Sequence, residues 1–137
     1  MRDINSNLHP ARAIAPVSVS DNTAQVSTSF DCLNYDGVML AIAAGSLADA
    51  DATFTLLMEE SSDNTNWTTV AAANLNGTVA QGSFQFDDDN EPRKIGYVGI
   101  KRYVRATITP ANNASAALIS ALWIGRPLRC PADAVPA

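Results

Sequence analysis

Few residues of this chain have the types and spacings that catalysis needs. Nucleophilic catalysis with a histidine base requires a histidine near a serine or cysteine, and the only histidine, His9, lies near the start of the sequence. Gly96 and Gly99 have a G-x-x-G spacing, but they fall between two predicted strands and do not open a helix as a phosphate-binding loop does. Tight packing or a β-bulge is the simpler interpretation. We therefore expect a protein that is not an enzyme.

One acidic run is the best candidate for a metal site. It comprises Asp87, Asp88, Asp89 and Glu91. Hard cations such as Ca²⁺ prefer several carboxylates on one flexible loop, but the run lacks the glycine-bearing pattern of an EF-hand. A solvated loop is the favoured interpretation, so neither a metal nor a cofactor is predicted. Paired carboxylates for glycosidic cleavage stay open, although only the acidity favours them.

Cys32 and Cys130 are the only cysteines, too few and too far apart to form a zinc site on their own. The sequence shows no signal peptide and no apolar stretch near the roughly 20 residues that span a bilayer, so we expect synthesis in the cytosol without membrane attachment. Two free thiols are the simpler interpretation there. The alternative is a disulfide that ties the end of the fold to its beginning, if the protein matures in a particle that leaves the cell.

Length and composition indicate one small β-domain. The chain has 137 residues, of which 47% are hydrophobic, enough for a single core. A formal net charge of −5 argues against a nucleic-acid partner bound through its phosphates. The many small residues and few charges fit an all-β domain better than a helical bundle.

The stretch from Lys94 to Arg126 carries the strongest strand signals. Residues 102–109 alternate between apolar and polar side chains, the period-2 pattern of a half-buried strand. Residues 116–124 are apolar on both faces apart from Ser120, which predicts a strand covered on both sides. A turn at residues 110–113 would join the two strands as the central hairpin of a sheet.

The whole sequence predicts an all-β fold, a β-sandwich of jelly-roll or immunoglobulin-like type with about seven or eight short strands. Asn76-Gly77 is the best short turn signal, and it precedes a predicted strand at residues 78–86. Prolines and the absence of periodicity predict an extended N-terminal arm over residues 1–22 and an extended C-terminal tail over residues 127–137. The sandwich domain is placed between them, at residues 23–126.

Basic residues are concentrated in the last third of the chain, whereas the acids crowd its middle. The basic cluster comprises Lys94, Lys101, Arg102, Arg105, Arg126 and Arg129. Such segregation is found on surfaces that are complementary to a partner or to a second copy. We therefore consider these residues candidates for an interface, against the simpler interpretation of a solvated charged face.

Three segments of the chain resemble small structural proteins from tailed-bacteriophage and prophage morphogenesis modules. They are Phe-Thr-Leu-Leu-Met-Glu-Glu-Ser-Ser-Asp-Asn-Thr-Asn-Trp-Thr-Thr-Val, Gly-Tyr-Val-Gly-Ile-Lys-Arg-Tyr-Val-Arg-Ala-Thr and Ala-Leu-Trp-Ile-Gly-Arg-Pro. The resemblance covers roughly residues 38–131. It implies a virion component assembled in the bacterial cytoplasm, one that decorates or cements the capsid. It also implies a β-rich and often trimeric protein whose arm extends over neighbouring capsomers, with no catalytic residues.

Under this hypothesis the partner is the major capsid protein and the two ends of the chain make the contacts. Arg2, His9 and Pro10 in the predicted arm then join the interface candidates. A neck, collar or tail component of the virion is the first alternative. The second is a carbohydrate-binding β-sandwich module or small hydrolase, which predicts that exposed aromatic residues such as Trp67 or Tyr35 line a sugar-binding groove. Burial of Trp67 and Trp123 in the core is the favoured interpretation of those two residues.

Overall fold

Two antiparallel sheets pack face to face in residues 3–128, the part of the chain that this computed structural model describes. In chain order the strands are β1 (His9–Val19), β2 (Gln25–Val26), β3 (Phe30–Asp31), β4 (Tyr35–Leu47), β5 (Thr53–Ser61), β6 (Thr68–Thr69), β7 (Leu75–Asn76), β8 (Phe84–Gln85), β9 (Pro92–Tyr97), β10 (Tyr103–Ala111) and β11 (Ala117–Pro127). Short 3₁₀ turns lie at Asn5–Asn7 and Ala72–Asn74, and one α-helical turn, α1, spans Val79–Gly82. None of the helical turns in residues 3–128 has the length to cross a membrane.

The strand order identifies the sandwich as a jelly roll. Sheet A has the order β1-β11-β4-β9-β7. Sheet B has the order β2-β10-β5-β6, with β3 also paired to β10 and β8 also paired to β5. When β2 with β3 and β6 with β8 are counted as two interrupted edge strands, the domain has nine strands, and β7 is an addition at the edge of sheet A. The other eight strands form two four-stranded sheets, and the chain passes from one sheet to the other at each step except from β5 to β6, as in an eight-stranded jelly roll. The predicted β-sandwich is therefore confirmed, and the topology decides between its two predicted types.

The inner faces of both sheets form one apolar core, as the period-2 patterns predict. β5 and β10 contribute alternate residues that are at most 2% exposed: Phe54, Leu56, Met58, Val104, Ala106 and Ile108. Trp123, predicted to be buried, is 1% exposed at the centre of β11. Its indole nitrogen donates a hydrogen bond of 3.0 Å to the carbonyl oxygen of Thr28, so the polar atom of this large side chain is satisfied.

The predicted N-terminal arm is largely a strand of the domain. His9–Val19 pairs with β11 along the edge of sheet A and buries Ala13, Ile14 and Val19. The register shifts on both sides of Ile14, and these irregularities interrupt the alternation that identifies a strand in sequence. The domain boundary predicted at residue 23 therefore has to move to the start of β1. At the other end, β11 includes Pro127, and residues 129–137 of the predicted tail lie outside the described residues.

The predicted central hairpin is wrong. β10 pairs with β5 in sheet B, whereas β11 pairs with β1 and β4 in sheet A. The connection crosses the edge of the sandwich, where the Asn113 side-chain amide donates hydrogen bonds of 3.0 Å to the carbonyl oxygens of Val19 and Asp21. A polar turn suits a hairpin and a crossing between sheets equally well, so the packing of the inner faces decides between them.

The turn at Asn76-Gly77 is present, but the strand predicted to follow it is interrupted. Gly77 has a φ of 106°, which glycine adopts without strain. The next residue, Thr78, caps α1: it accepts a hydrogen bond from the Gln81 backbone, and the Gln81 side chain accepts one from the Thr78 backbone. This reciprocal capping box stabilises a helical turn. Only Phe84–Gln85 of the predicted segment is a strand, β8.

Candidate binding surfaces

The outer face of sheet A is largely apolar. It carries Pro10, Met39, Ala41, Ala43, Leu118, Leu122 and Ile124, and we call it the apolar face. The register places Ile124 between Pro10 on β1 and Met39 on β4, and Leu122 beside Ala41. Two serines, Ser18 and Ser120, lie among these apolar side chains. A largely apolar exposed surface of this kind is typical of a contact surface on a protein.

Residues 116–124 were predicted to form a strand covered on both sides, but the outer face of this strand, β11, is exposed. Leu118 and Leu122 are each 47% exposed. Sheet B packs on the opposite face of sheet A, and no element in residues 3–128 covers the outer one. The apolar run without alternation therefore correctly indicated a strand with apolar side chains on both faces. It did not indicate that the outer face is left exposed.

Two depressions give the apolar face its shape. One, of about 410 Å³, lies between β1, β4 and β11, and its lining includes Pro16, Ser18, Ala43, Gly45, Leu118 and Ser120. The other, of about 280 Å³, lies at the opposite end and is lined by Leu8, Met39, Gly96, Val98 and Ile124 among others. Both are open and apolar, so they suit side chains of a protein partner better than a charged metabolite.

Two cations flank the centre of the apolar face. Arg12 lies beside Leu122 on one side, and Lys94 lies beside Ala41 on the other. Both are exposed, and within residues 3–128 neither forms a salt bridge. An apolar centre with polar groups at its rim is the usual arrangement in a protein–protein interface. Sequence reasoning included Lys94 in the basic cluster but did not single out Arg12.

The outer face of sheet B has the opposite character, and Arg105 lies at its centre. The Arg105 guanidinium lies 4.4 Å from the centroid of the Trp67 ring, and its Nε donates a hydrogen bond of 3.1 Å to Glu59. Trp67 is half-buried, not part of the core as the favoured interpretation held. The predicted interface residue Arg105 is therefore held by a carboxylate and by a cation–π contact within its own chain.

Arg102 forms a second cluster on the same face. Its Nε and Nη2 donate hydrogen bonds of 2.9 and 2.7 Å to the two carboxylate oxygens of Asp31, and its guanidinium lies 5.0 Å from the centroid of the Tyr103 ring. The Arg102 hydrogen bond lowers the pKa of Asp31. Such bidentate pairs are geometrically specific, so Arg102 presents a fixed orientation at the surface.

Lys101 lies at a buried polar contact between the two sheets. Tyr97 of sheet A donates a hydrogen bond of 2.6 Å from its hydroxyl to Glu60 of sheet B, and the Lys101 ammonium lies 3.9 Å from the same carboxylate. Tyr97 and Glu60 are both buried. Burial, followed by the effect of Glu60, raises the pKa of the Tyr97 hydroxyl. Lys101, Arg102 and Arg105 thus each face a carboxylate on a neighbouring strand, and their role in an interface stays a prediction.

The other predicted interface residues are dispersed. Pro10 lies on the apolar face, whereas His9 is half-buried with its ring centroid 5.8 Å from that of Tyr35. Arg126 is exposed, with its Nε 3.7 Å from Asp36. Arg2 and Arg129 lie outside the described residues.

The acidic run does not assemble a metal site in the described part of the chain. Asp88 forms a salt bridge of 2.7 Å with Arg93 and accepts a hydrogen bond of 2.9 Å from the Gln85 backbone. Glu91 lies 3.7 Å from the same arginine. Within residues 3–128 no three His, Cys, Asp or Glu side chains gather closely enough to hold a metal ion.

Cys32 is half-buried at the open end of the sandwich, where its thiol is not in a disulfide with any described residue. Burial, and to a smaller extent Asp31, raises the pKa of this thiol to about 11. Since the thiolate is the reactive form, Cys32 is a slow nucleophile at neutral pH. Its predicted partner Cys130 lies outside the described residues.

Comparison with known proteins gives similarity of architecture only. No protein-family model matches the chain, and no curated protein does. The chain is similar to the CBM22-1 xylan-binding domain of Paenibacillus barcinonensis Xyn10C, at 11% identity and a TM-score of 0.45, covering 90% of this chain and 88% of that one. It is also similar to the CBM22-1–GH10 modules of Clostridium thermocellum xylanase 10B complexed with xylohexaose, at 10% identity and a TM-score of 0.40, covering 96% of this chain and 27% of that one. At this level the similarities say nothing about what this chain binds.

Proposed function

We propose that this protein is a non-enzymatic structural subunit of a tailed-phage virion, which decorates and cements the capsid by bridging neighbouring major-capsid subunits. The apolar face is the observation that carries the proposal, because it offers a broad surface that the described chain leaves uncovered. The resemblance of residues 38–131 to phage morphogenesis proteins supplies the identity of the partner. A homo-oligomer, with a trimer favoured, would present several copies of this face at once and gain strength by multivalency.

The proposed contact surface differs from the one that the sequence alone suggested. A flexible arm binds by becoming ordered, which costs conformational entropy. In this protein His9–Val19 is already a paired strand, and Pro10 contributes directly to the apolar face. Since the surface is formed before binding, a rigid docking of sheet A on the shell is the mode that we propose.

Co-sedimentation with particles that lack the protein, followed by electron microscopy, tests this function. The variant Leu122→Asp places a charge at the centre of the apolar face, and Leu57→Asp is a matched control on the outer face of sheet B, where Leu57 is 38% exposed. In the complex Leu122 would be buried against the capsid, so Leu122→Asp removes the contribution of that leucine and requires an aspartate to lose its water. We expect binding to weaken by at least about tenfold, or about 1.4 kcal/mol.

We expect the wild-type protein and Leu57→Asp to give regular density on the capsid faces, and Leu122→Asp to stay in the supernatant. Density only at the neck or tail would favour the first alternative, a neck, collar or tail component. Failure of the wild-type protein to bind any particle would contradict a virion role, and equal losses in the two variants would contradict the use of sheet A.

A carbohydrate-binding module is the second candidate, and the outer face of sheet B is the observation that favours it. Trp67 and Tyr103 lie there beside Arg105 and Glu59. Aromatic rings stack on the apolar faces of sugars, while charged side chains can bind their hydroxyl groups. The other predicted aromatic, Tyr35, packs against Phe30 with ring centroids 4.9 Å apart, and is a weaker candidate.

Affinity electrophoresis in gels containing soluble polysaccharides, xylan among them, tests this candidate. Retardation that Trp67→Ala abolishes and Phe86→Ala preserves would support it. Phe86 is a suitable control because it is 40% exposed and belongs to the segment after β8, away from Trp67 in sequence. Unchanged mobility in every gel would exclude the sugars tested and leave the virion proposal unaffected.

A further inference from the structure

The apolar face is crossed by one row of four residues that lie in register on four strands. Arg12 on β1 pairs with Leu122 on β11, which pairs in turn with Ala41 on β4. Ala41 then pairs with Lys94 on β9. Because neighbouring strands lie about 4.8 Å apart, these steps place the Cα atoms of Arg12 and Lys94 about 14 Å from each other. The row therefore has a cation at each end and two apolar residues between them.

Within residues 3–128, these two cations are the ones that have no carboxylate partner. The sequence has nine lysines and arginines, of which Arg2 and Arg129 lie outside the described residues. Five of the other seven form salt bridges with carboxylates of the same chain, namely Arg93, Lys101, Arg102, Arg105 and Arg126. Arg12 and Lys94 form none, and both are exposed.

Carboxylates are scarce on the strands that carry this row. Among β1, β4, β9 and β11 the only acidic residue is Asp36, whose carboxylate lies 3.7 Å from Arg126 near one end of the sheet. The row is thus positively charged on a chain whose formal net charge is −5. A face-to-face contact between two copies would bring their cations together without carboxylates to compensate them, so a second copy of this face is a poor partner.

Docking of sheet A would remove water from the whole row. Because Arg12 lies beside Leu122 and Lys94 lies beside Ala41, a surface that covers the apolar residues also covers part of each cation. Removing a charged group from water without an opposite charge is unfavourable. A carboxylate of the partner opposite each cation offsets this loss and also favours one orientation of docking.

We propose that the capsid surface that receives sheet A has an apolar centre with an acidic residue on each side, the two lying about 14 Å apart. This inference rests on the proposed capsid-binding function and specifies the chemistry of the partner. The two depressions of the apolar face lie at opposite ends of the strands, whereas the cations lie across the strands. The apolar side chains of the partner and its carboxylates are therefore arranged along two crossing lines.

Zero-length cross-linking of the protein bound to particles tests the proposal. A carbodiimide joins a lysine amine to a carboxylate that it contacts, and the chain has two lysines, Lys94 and Lys101. Trypsin does not cleave after a cross-linked lysine, so mass spectrometry should find the peptide of residues 94–101 joined through Lys94 to an acidic residue of the major capsid protein. Lys101 is the internal control: its ammonium lies 3.9 Å from Glu60 of its own chain, and we expect no capsid link from it.

Neutralisation of the two cations provides a second test. The double variant Arg12→Gln with Lys94→Gln lowers the net charge by two, and the control Val26→Glu with Thr55→Glu lowers it equally on the outer face of sheet B. In co-sedimentation at about 0.1 M NaCl we expect the first variant to bind at least about fivefold more weakly than the wild type, and the control to bind like the wild type. At about 1 M NaCl, where charges are screened within about 3 Å, this difference should disappear. Circular dichroism checks that each variant is folded.

The outcomes separate this inference from the function on which it rests. A bound protein whose Lys94 forms no link, or links only to a second copy of this chain, would overturn the acidic partner and leave capsid binding intact. Equal affinities of the two double variants would do the same. Failure of the wild-type protein to bind any particle at either salt concentration would instead contradict the proposed function, and the inference with it.

Discussion

Substitution of Tyr97 by phenylalanine should destabilise the fold by removing one atom. The Tyr97 hydroxyl donates a hydrogen bond of 2.6 Å to the buried Glu60 carboxylate and accepts one of 3.2 Å from the Lys101 backbone. A hydrogen bond to a charged group contributes about 1.5–3 kcal/mol to stability. Phenylalanine would also leave the Glu60 carboxylate and the Lys101 backbone N–H without their hydrogen bonds to Tyr97. Phenylalanine keeps the ring, so no large cavity forms, and the Lys101 ammonium still compensates part of the Glu60 charge. We therefore expect a loss of about 2 kcal/mol.

Urea denaturation followed by fluorescence measures this loss directly. Thermal denaturation should show the same loss. With the typical unfolding entropy per residue, a 137-residue chain has an unfolding entropy of about 0.29 kcal/mol/K, so a stability loss of about 2 kcal/mol lowers the Tm by about 7 °C. Tyr103→Phe is the matched control, because Tyr103 is half-exposed and lies on the outer face of sheet B. We expect that control to remain within about 0.5 kcal/mol of the wild type. If the two variants proved equally stable, the contribution assigned to the buried Tyr97–Glu60 contact would be refuted.

The same contact should also give the protein an alkaline limit. The folded-state pKa of Tyr97 is raised above its ordinary value of 10.0, first by burial and then by Glu60. The neutral hydroxyl is thus favoured by folding, and its contribution is fully present below pH 10 and is lost as the pH rises from there towards the raised pKa. Tyr97→Phe removes this titration, so the stability difference from the wild type should narrow above pH 10.

Two further predictions concern a close contact and a loop. Gly125→Ala would place a Cβ atom 2.6 Å from the Tyr35 ring, so we expect it to lower the free energy of unfolding by about 1–3 kcal/mol in urea denaturation. Gly37→Ala is the control: its Cβ atom would have no atom within 4 Å, so the free energy of unfolding should change by at most about 0.5 kcal/mol. Equal losses of stability in the two variants would contradict the steric reasoning. Asp63 accepts hydrogen bonds of 2.8 and 2.9 Å from the Asn66 and Thr65 backbones, which lower its pKa below the ordinary 3.8. The ionised Asp63 should therefore stabilise the fold above pH 3.8, and this stabilisation should disappear as the pH falls through the lowered pKa. In Asp63→Asn the free energy of unfolding should then fall less steeply at acidic pH than in the wild type. An unshifted Asp63 pKa in an NMR titration would refute this prediction.

The predicted strands were most accurate where local periodicity and burial agree. Phe54, Leu56 and Met58 alternate with polar residues, and they lie in the core because a strand with one apolar face has only one way to bury it. The edge strand β1 was missed because its register shifts and its prolines remove the alternation. β10 and β11 were each predicted, but their assignment to one hairpin was wrong, since a turn does not record which sheet the next strand joins.

The candidate binding surfaces were less predictable from the sequence than the fold. Lys101, Arg102 and Arg105 were identified from the separation of charge along the sequence, but the chain brings Glu60, Asp31 and Glu59 to them from strands that are distant in sequence. Leu118 and Leu122 were identified as apolar and assigned to the interior. Sequence patterns report the polarity of a strand face, whereas the neighbour of that face depends on how the sheets pack.

The sequence by itself determined that this protein is an all-β sandwich with its core on alternate residues, because side chains of a strand alternate between two faces at every step. Only the tertiary structure decided the jelly-roll order, the partners of the basic residues and the exposure of the apolar face. These depend on contacts between residues far apart in the chain, such as Pro127 with Tyr35 and Arg102 with Asp31, and no local pattern of residues encodes such pairings.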